Sequence, residues 1–206
     1  MKSLDRWVDF WKRIGAAGDS GRVYLQLAVM YSQTDRAYHT MHHIMECLDE
    51  FEQARHLPEH PLEVEMAIWF HDAVYDTHAK DNEERSAQLA LESGRAMKLP
   101  EELGKRVYDL ILATRHVQIP EGMDAQVLTD IDLSGFGKSE EVFDENTRKI
   151  RAEYHWVPEE DFRAERAWIL LGFLERPSIY ATEFFQQKYE AQARKNLERE
   201  LVRLRM

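Results

Sequence analysis

The sequence predicts an all-α fold, and three observations support this prediction. Apolar residues recur at i, i+3 and i+4 along nearly the whole chain of 206 residues, which is the spacing of one helix face. No stretch of useful length alternates apolar and polar residues as a half-buried strand does. Proline, glycine and helix-capping residues divide the chain into segments of helix length. We therefore expect a bundle of helices.

Three helices are expected in the N-terminal quarter of the chain. The first follows Ser3, a residue type that favours N-caps, and ends before Gly15. Its apolar positions are Leu4, Trp7, Val8, Trp11 and Ile14. A second helix is expected at 23–31 and a third at 35–54. The core-facing positions of the third helix are Tyr38, Met41, Met45, Leu48 and Phe51.

Prolines and acidic residues mark the starts of the helices in the middle of the chain. Pro61 suits the first turn of a fourth helix that contains the apolar run MAIWF. Asp81 is expected to cap a fifth helix, with Glu84 completing a capping box. Pro100 opens a sixth helix, and a short seventh is expected at 125–133.

The C-terminal part of the chain predicts three further helices, at 140–154, 159–174 and 183–205. The last is heavily charged but carries apolar residues at a spacing of four: Phe185, Tyr189, Ala193, Leu197 and Leu201. Such an amphipathic helix buries its apolar face against another surface. We expect it to close either on the core of its own chain or on a second subunit of a homo-oligomer.

Composition limits the classes of partner. Charged residues make up 32% of the chain, and no apolar run approaches the roughly 20 residues that cross a bilayer. The single cysteine, Cys47, excludes an internal disulfide, so a cytoplasmic location is expected. The formal net charge of −11 argues against a long nucleic acid as partner. A small anion is still compatible, because a bound divalent metal reverses the local field of an acidic site.

The pair His71-Asp72 is the first candidate for chemistry. It ends the apolar run in WFHDAVYD, where burial of both side chains costs several kcal/mol unless they are paired or bound to metal. The alternative is a polar pair at a helix end that faces water. The pair alone does not decide between these two interpretations.

Two other segments carry residues that can bind metal. His39 and His43, in YHTMHH, are four residues apart, so on a helix they share one face. Both can then bind one metal, or one can bind the metal while the other meets the substrate. In DIDL, Asp130 and Asp132 lie inside an apolar stretch. A metal, an N-cap or a surface turn before the next glycine would each account for acids at these positions.

The ordered set His, His-Asp, Asp on predicted helices resembles the HD superfamily of metal-dependent phosphohydrolases, whose signature is H…HD…D. The chain looks most like a branch of predicted metal-dependent HD hydrolases. The matching stretches are RAYHTMHHI, AIWFHDAVYD, DNEERSA, ILATRH, TDIDLSGFG, IRAEY and EAQARKNLEREL. The resemblance runs from about residue 30 to the end. It implies one HD-type helical domain over 1–206, with a core at about 22–135 and additional C-terminal helices at about 139–206.

Carried over residue by residue, the resemblance makes His39, His71, Asp72 and Asp132 the metal ligands. Asp130 is the rival of Asp132, which we prefer because the branch places the aspartate directly before leucine. Where the branch usually has asparagine after the first histidine, this chain has threonine. Two imidazoles and two carboxylates suit Mn²⁺, Fe²⁺, Ni²⁺, Co²⁺ or Mg²⁺.

Further roles follow from the same resemblance and from position in the sequence. Asp72 is expected to act in catalysis as well as in metal binding. Glu83 is expected to hold the attacking water or a second metal, although a first-turn helix acid also explains it. His116 is a further catalytic candidate, with a structural role at a helix end as the alternative. Substrate contacts are expected from His43, Arg36 and Arg115, the two arginines as phosphate clamps.

The expected function is therefore that of a metal-dependent phosphohydrolase. Its substrate would be a nucleotide or another small phosphate ester, attacked by a metal-activated water. One alternative is a di-iron oxygenase of the HD type, with His43, Glu83 and His116 as the additional ligands. Another is a nucleotide-sensing module without catalytic activity.

Overall fold

The structure, a computed structural model, describes residues 2–205, and its regular elements in that range are all helices, with no strand. The all-α prediction is thus confirmed. The α-helices are α1 (Ser3–Arg13), α2 (Ser20–Met30), α3 (Met41–Ala54), α4 (Pro61–Phe70), α5 (Asn82–Ala96), α6 (Glu101–Ala113), α7 (Met123–Asp132), α8 (Glu140–Glu153), α9 (Glu159–Leu174), α10 (Glu183–Phe185) and α11 (Ala191–Leu204). A 3₁₀ segment, Leu133–Gly137, follows α7, and a π-helical segment, Gln186–Glu190, joins α10 to α11. No helix among the described residues is long and apolar enough to cross a membrane.

Helix α3 begins later than predicted, and this changes the setting of His39. Thr40 has extended backbone angles, and its side chain accepts a hydrogen bond from the N–H of His42. Thr40 is therefore the N-cap, and the helix starts at Met41 and not near residue 35. His39 consequently lies in the turn before the helix, so the prediction that His39 and His43 share one helical face is wrong.

The capping box predicted for α5 is also absent. Asp81 does precede the helix, but its side chain accepts no capping hydrogen bond. The Glu84 side chain instead forms an ion pair with Arg115.

Helix α4 lies at the centre of the bundle, packed against α3, α5, α6 and α7. All of its residues from Glu63 to Phe70 are buried, and the two glutamates among them form ion pairs with arginines of other segments. Trp69 meets the ring of Trp7 from α1 edge to face, with ring centroids 5.3 Å apart. Because α4 is covered on all sides, the residues that end it, His71 and Asp72, begin inside the protein.

The C-terminal helix closes on the core of its own chain. Helix α11 packs against α9 and against the 3₁₀ segment. Its apolar residues Ala193, Leu197 and Leu201 belong to the same buried cluster as the residues of α4. This is the first of the two arrangements that the sequence allowed, and association with a second subunit stays untested.

Candidate metal centre

Three helix termini bring metal-binding side chains to one place. The first two turns of α3 supply His43 and Cys47, the end of α4 is followed by His71 and Asp72, and α7 ends at Asp132. The imidazoles of His43 and His71 are almost fully buried. The carboxylates of Asp72 and Asp132 keep 16% and 19% of their surface exposed, so the cluster can be reached from solvent on the side of the acids.

The ligand atoms converge closely. His43 Nε2 lies 3.4 Å from His71 Nε2 and 3.2 Å from Asp132 Oδ1. Asp72 Oδ2 lies 3.2 Å from His71 Nε2 and 3.5 Å from His43 Nε2. One ligand atom from each of His43, Cys47, His71 and Asp132 falls within 4.8 Å of all the others. This group could hold a metal ion.

The orientation of His71 suits a metal ligand. Its Nδ1 lies 3.0 Å from the carbonyl oxygen of Ile68, so this nitrogen carries a proton and donates it. In the neutral ring the lone pair is then on Nε2, which faces the carboxylates. Burial alone would lower the pKa of His71, but Asp72 and Asp132 raise it well above its usual value. In the metal-free protein, Asp72 and Asp132 therefore favour a proton on His71 Nε2, at the position where a cation would bind.

One atom of the cluster has no hydrogen-bond partner. Asp72 Oδ2 is buried and accepts no hydrogen bond. Burial would raise the pKa of Asp72, but the nearby histidines lower it well below its usual range, so the group is ionised. The Nε2 atoms of His71 and His43 lie 3.2 and 3.5 Å from this oxygen but not in hydrogen-bonding geometry, and a cation between Asp72 and the two imidazoles would supply the missing partner. The residues present thus fit a divalent metal.

Cys47 is a member of this group that the sequence reasoning missed. Its sulfur lies 3.6 Å from His43 Nε2. Burial, followed by the charge of Asp132, raises the pKa of the thiol well above its usual value, so Cys47 is a neutral thiol when no metal is bound. The i, i+4 spacing from His43 was the available signal, because it places both side chains on one face of α3.

His39 is held beside the cluster by Glu153, a second residue that was not singled out. The imidazole Nδ1 is 2.6 Å from Glu153 Oε2. The backbone N–H groups of Ala37, Tyr38 and His39 all donate to Glu153 Oε1, at 2.7–2.9 Å. A carboxylate on one nitrogen of a histidine leaves the other nitrogen free to bind metal. Glu153 belongs to the matching stretch IRAEY, but nothing in that stretch shows which loop it holds.

The structure separates the two aspartates of DIDL. Asp132 Oδ1 faces the histidines of the cluster, and its Oδ2 lies 2.7 Å from His116 Nε2. Asp130 instead accepts hydrogen bonds from the N–H groups of Ala181 and Thr182 and from the Thr182 hydroxyl. Asp130 thus fixes the chain just before α10 and does not face the metal group.

His116 has a backbone conformation unusual for a residue with a side chain. Its φ angle of 55° falls in the left-handed region, and Arg176 donates a hydrogen bond to its carbonyl oxygen. The ring lies between Asp132 and Phe173 of α9, 6.0 Å from the Phe173 ring by centroids. Backbone strain of this kind is common at functional sites.

The predicted phosphate clamps have other partners. Arg36 is buried and donates to the backbone carbonyls of His39, Asp72 and Ala73. These bonds tie the His39 turn to the His71-Asp72 turn and favour a structural role over phosphate binding. Arg115 is paired with Glu84. The half-buried Glu83 lies in the first turn of α5, as predicted, and its catalytic role stays a prediction.

Comparison with protein-family models, with curated proteins and with solved structures finds no match to this chain.

Proposed function

We propose that the protein is a metal-dependent phosphohydrolase of the HD type that acts on a small phosphate ester such as a nucleotide. The observation that carries the proposal is the convergence of His43, His71, Asp72 and Asp132, with one buried oxygen of Asp72 in no hydrogen bond. The order of these residues along the chain is that of the HD signature. The mixture of imidazoles and carboxylates at a solvent-accessible edge supports a catalytic role over a purely structural one.

The donor set narrows the choice of metal. His43, His71, Asp132 and Asp72 are the proposed ligands, with His39 as a further one because its Nδ1 is bound to Glu153. Imidazole nitrogen suits Fe²⁺, Co²⁺ and Ni²⁺, carboxylates suit Mn²⁺, and Mg²⁺ prefers oxygen alone. We therefore expect Mn²⁺, Fe²⁺, Co²⁺ or Ni²⁺ in preference to Mg²⁺. A bound divalent ion lowers the pKa of a coordinated water and offsets negative charge on the phosphate.

Each of the residues around the site has a specific role in the proposed function. Asp72 and Asp132 supply the negative charge that retains a cation, and both are ionised in the folded chain. The contact of His116 with the outer oxygen of Asp132 holds that carboxylate in one orientation. Glu153 holds His39 and the turn that carries it. Because the acids are the exposed edge of the cluster, the substrate approaches from their side.

The test is hydrolysis by the metal-loaded protein. Wild-type protein saturated in turn with Mn²⁺, Fe²⁺, Co²⁺ and Ni²⁺ is assayed on a panel of nucleotides and other phosphate esters, with release of inorganic phosphate as the readout. Asp72→Asn should lower the rate by about 100-fold or more, since loss of even an outer partner of a metal site costs 10–100-fold. Asp76→Asn is the matched control, because Asp76 is an exposed acid of the same loop.

Two results would reject the hydrolase: release of phosphate from no ester with any of these metals, or full activity of Asp72→Asn. The alternatives give different signatures. A di-iron oxygenase would bind two irons and consume oxygen. A sensing module would bind nucleotide and metal with no turnover.

A further inference from the structure

Arg166 is an arginine whose guanidinium has no partner in the part of the chain that the structure describes. It lies in the middle of α9, one turn before the buried Leu170. Its Nε atom is buried and makes no hydrogen bond. No ion pair joins it to any acid within residues 2–205. The neighbouring arginines of this region are engaged: Arg163 donates to the carbonyls of Arg203 and Leu204, and Arg176 to that of His116.

The nearest acid does not compensate for this. Glu200 of α11 is close enough to influence the charge of Arg166, but its carboxylate forms an ion pair with Arg203 at 3.7 Å. Burial lowers the pKa of Arg166, and Glu200 and nearby tyrosines oppose that effect. Arginine nevertheless stays charged at any ordinary pH. The folded chain therefore keeps a half-buried positive charge whose buried Nε has no acceptor, and a bound anion would supply one.

The surroundings of Arg166 connect it to the metal centre. Phe162, one turn before Arg166 on α9, packs against the Tyr154 ring, with centroids 6.2 Å apart. The charge of Arg166 accordingly interacts with Tyr38, Tyr75 and Tyr154. The Tyr75 ring stacks on the His39 imidazole, with centroids 3.8 Å apart. The Tyr38 ring lies 4.9 Å from both His39 and His43 by ring centroids. A series of contacts thus runs from α9 through Tyr154 and Tyr75 to His39.

Two of the tyrosine hydroxyls also have hydrogen-bonding capacity to spare. The Tyr75 and Tyr154 hydroxyls are 3.2 Å apart, so one donates to the other and the second proton is free for another acceptor. Burial raises the pKa of both Tyr75 and Tyr154 above the usual value. Both are therefore neutral donors. A guanidinium without a partner and two phenol hydroxyls beside a cation site are donors suited to phosphate oxygens.

Helix α9 bridges the two sides of the site. Phe173 contacts His116 beyond Asp132, whereas Phe162 contacts Tyr154, whose hydroxyl lies 3.2 Å from that of Tyr75. Arg166 lies one turn after Phe162 and about 10 Å along the helix from Phe173. Helix α9 therefore carries both the contact with His116 and the unpaired arginine.

We propose that Arg166, with the hydroxyl groups of Tyr75 and Tyr154, binds a phosphate group of the substrate on the His39 side of the metal cluster. The inference deepens the proposed function and rests on it for the identity of the ligand. It gives the phosphate a cationic partner from the protein in addition to the metal. Arg166 replaces Arg36 and Arg115, whose guanidinium groups have other partners.

The experiment measures the binding of inorganic phosphate by calorimetry, on metal-free and on Mn²⁺-loaded protein at low ionic strength. Arg166→Met should weaken phosphate binding by about 10–100-fold in both forms, as expected for the loss of charge-assisted hydrogen bonds. Arg166→Lys keeps the charge but not the planar fork and should show an intermediate loss. Arg148→Met is the matched control, on an exposed arginine that forms an ion pair with Glu145 and donates to the Asp144 carbonyl, and it should bind like wild type.

A second readout separates binding from a structural role. Since Arg166 has no partner, Arg166→Met should melt at the same temperature as wild type or higher in the absence of phosphate. Phosphate should raise the melting temperature of wild type and not that of the variant. A lower melting temperature for both Arg166 variants, with phosphate affinity unchanged in Arg166→Lys, would show that the residue is structural and overturn the proposal.

Other outcomes are equally decisive. Equal phosphate affinity in wild type and Arg166→Met, an equal loss in Arg148→Met, or no binding to wild type in either form would also overturn the proposal. Failure of the proposed hydrolysis would give a result different from failure of this phosphate site. In that case no ester is cleaved, whereas phosphate still binds to the metal-free protein in a manner that depends on Arg166.

Discussion

Glu153 is the residue on which the turn before α3 depends. Its side chain is fully buried, and one oxygen accepts three successive backbone N–H groups while the other meets His39 Nδ1. Burial would raise the pKa of Glu153, but the His39 imidazole and these N–H donors lower it. The carboxylate thus stays ionised and holds the turn.

Replacement of Glu153 by glutamine tests this role. Glu153→Gln should weaken metal binding by about 10–100-fold, the usual effect of losing the outer partner of a histidine ligand. Metal titration followed by calorimetry measures the change. Glu145→Gln alters an acid of the same helix that pairs with Arg148 and Lys149 at the surface and should bind metal like wild type. Equal metal affinity in all three proteins would show that His39 and Glu153 do not contribute to metal binding.

At the residue scale, only some of the residues of this site could be predicted from the sequence. His71, Asp72 and Asp132 could be singled out because polar side chains inside apolar runs need a partner. Glu153 and Arg166 could not, since both lie on charged helices where an acid or an arginine is ordinary. Glu153 is distinguished by contacts with residues more than 100 positions away, and Arg166 by the lack of a partner. Neither property can be read from the local sequence.

Helix α3 is held against the C-terminal helices by a buried ionic cluster. Glu50 accepts hydrogen bonds from Lys138, Lys188 and the Tyr189 hydroxyl. Burial alone would raise the pKa of Glu50, but the donors, Lys138 first, lower it. Lys188 and Tyr189 lie in the π-helical segment, so the irregular turn brings both side chains to one carboxylate.

This cluster predicts a pH dependence of stability. Because the folded pKa of Glu50 lies below its unfolded value of about 4.3, the folded chain binds fewer protons than the unfolded one. The stabilisation is complete above that pH and is lost as the pH falls through the folded pKa. Glu50→Gln should cost about 1–3 kcal/mol at neutral pH, since it removes a buried anion from two half-buried lysines.

Chemical denaturation of both proteins from pH 7 to pH 3 measures this effect. The difference in unfolding free energy between wild type and Glu50→Gln should shrink at the acid end. Glu52→Gln, which alters a half-exposed acid of the same helix, should follow wild type throughout. A difference that stays constant with pH would show that Glu50 does not titrate as described.

The contact between the 3₁₀ segment and the π-helical segment depends on a glycine. A Cβ atom on Gly137 would lie 2.4 Å from Cβ of Tyr189, closer than atoms can pack. Gly137→Ala should therefore destabilise the protein by about 1–3 kcal/mol, as overpacking does. Gly172→Ala, in open space on α9, should instead stabilise it by about 0.5–1 kcal/mol. Denaturant midpoints compare the two, and a neutral Gly137→Ala would mean that the segments pack less tightly.

At the scale of the whole molecule, the fold class and most helix bounds could be predicted because periodicity and capping residues are local. Helix α9 has the predicted bounds, 159–174. The start of α3 could not be predicted, because His39 and Tyr38 fit a helical pattern while Glu153, from α8, holds them in a turn. The π-helical segment was missed for a similar reason, since its sequence continues an amphipathic pattern.

The assembly of the site is a property of the whole molecule as well. The proposed ligands come from the start of α3, the end of α4 and the end of α7, so a bound ion would join three helices. An ion that binds only the folded chain stabilises it by mass action, by about 2.7 kcal/mol at 100 times its dissociation constant. Metal removal should consequently lower the melting temperature.

Elemental analysis of the protein after saturation with Mn²⁺ or Ni²⁺ and removal of free metal tests the central claim most directly. Two neighbouring histidines of α3 supply a matched pair, since the His43 side chain is 5% exposed and faces the cluster whereas the His42 side chain is 71% exposed. We predict at least about one ion per chain in wild type and in His42→Ala, and a loss of most of it in His43→Ala. Absence of metal from the wild-type protein, or equal metal content in the two variants, would contradict the account.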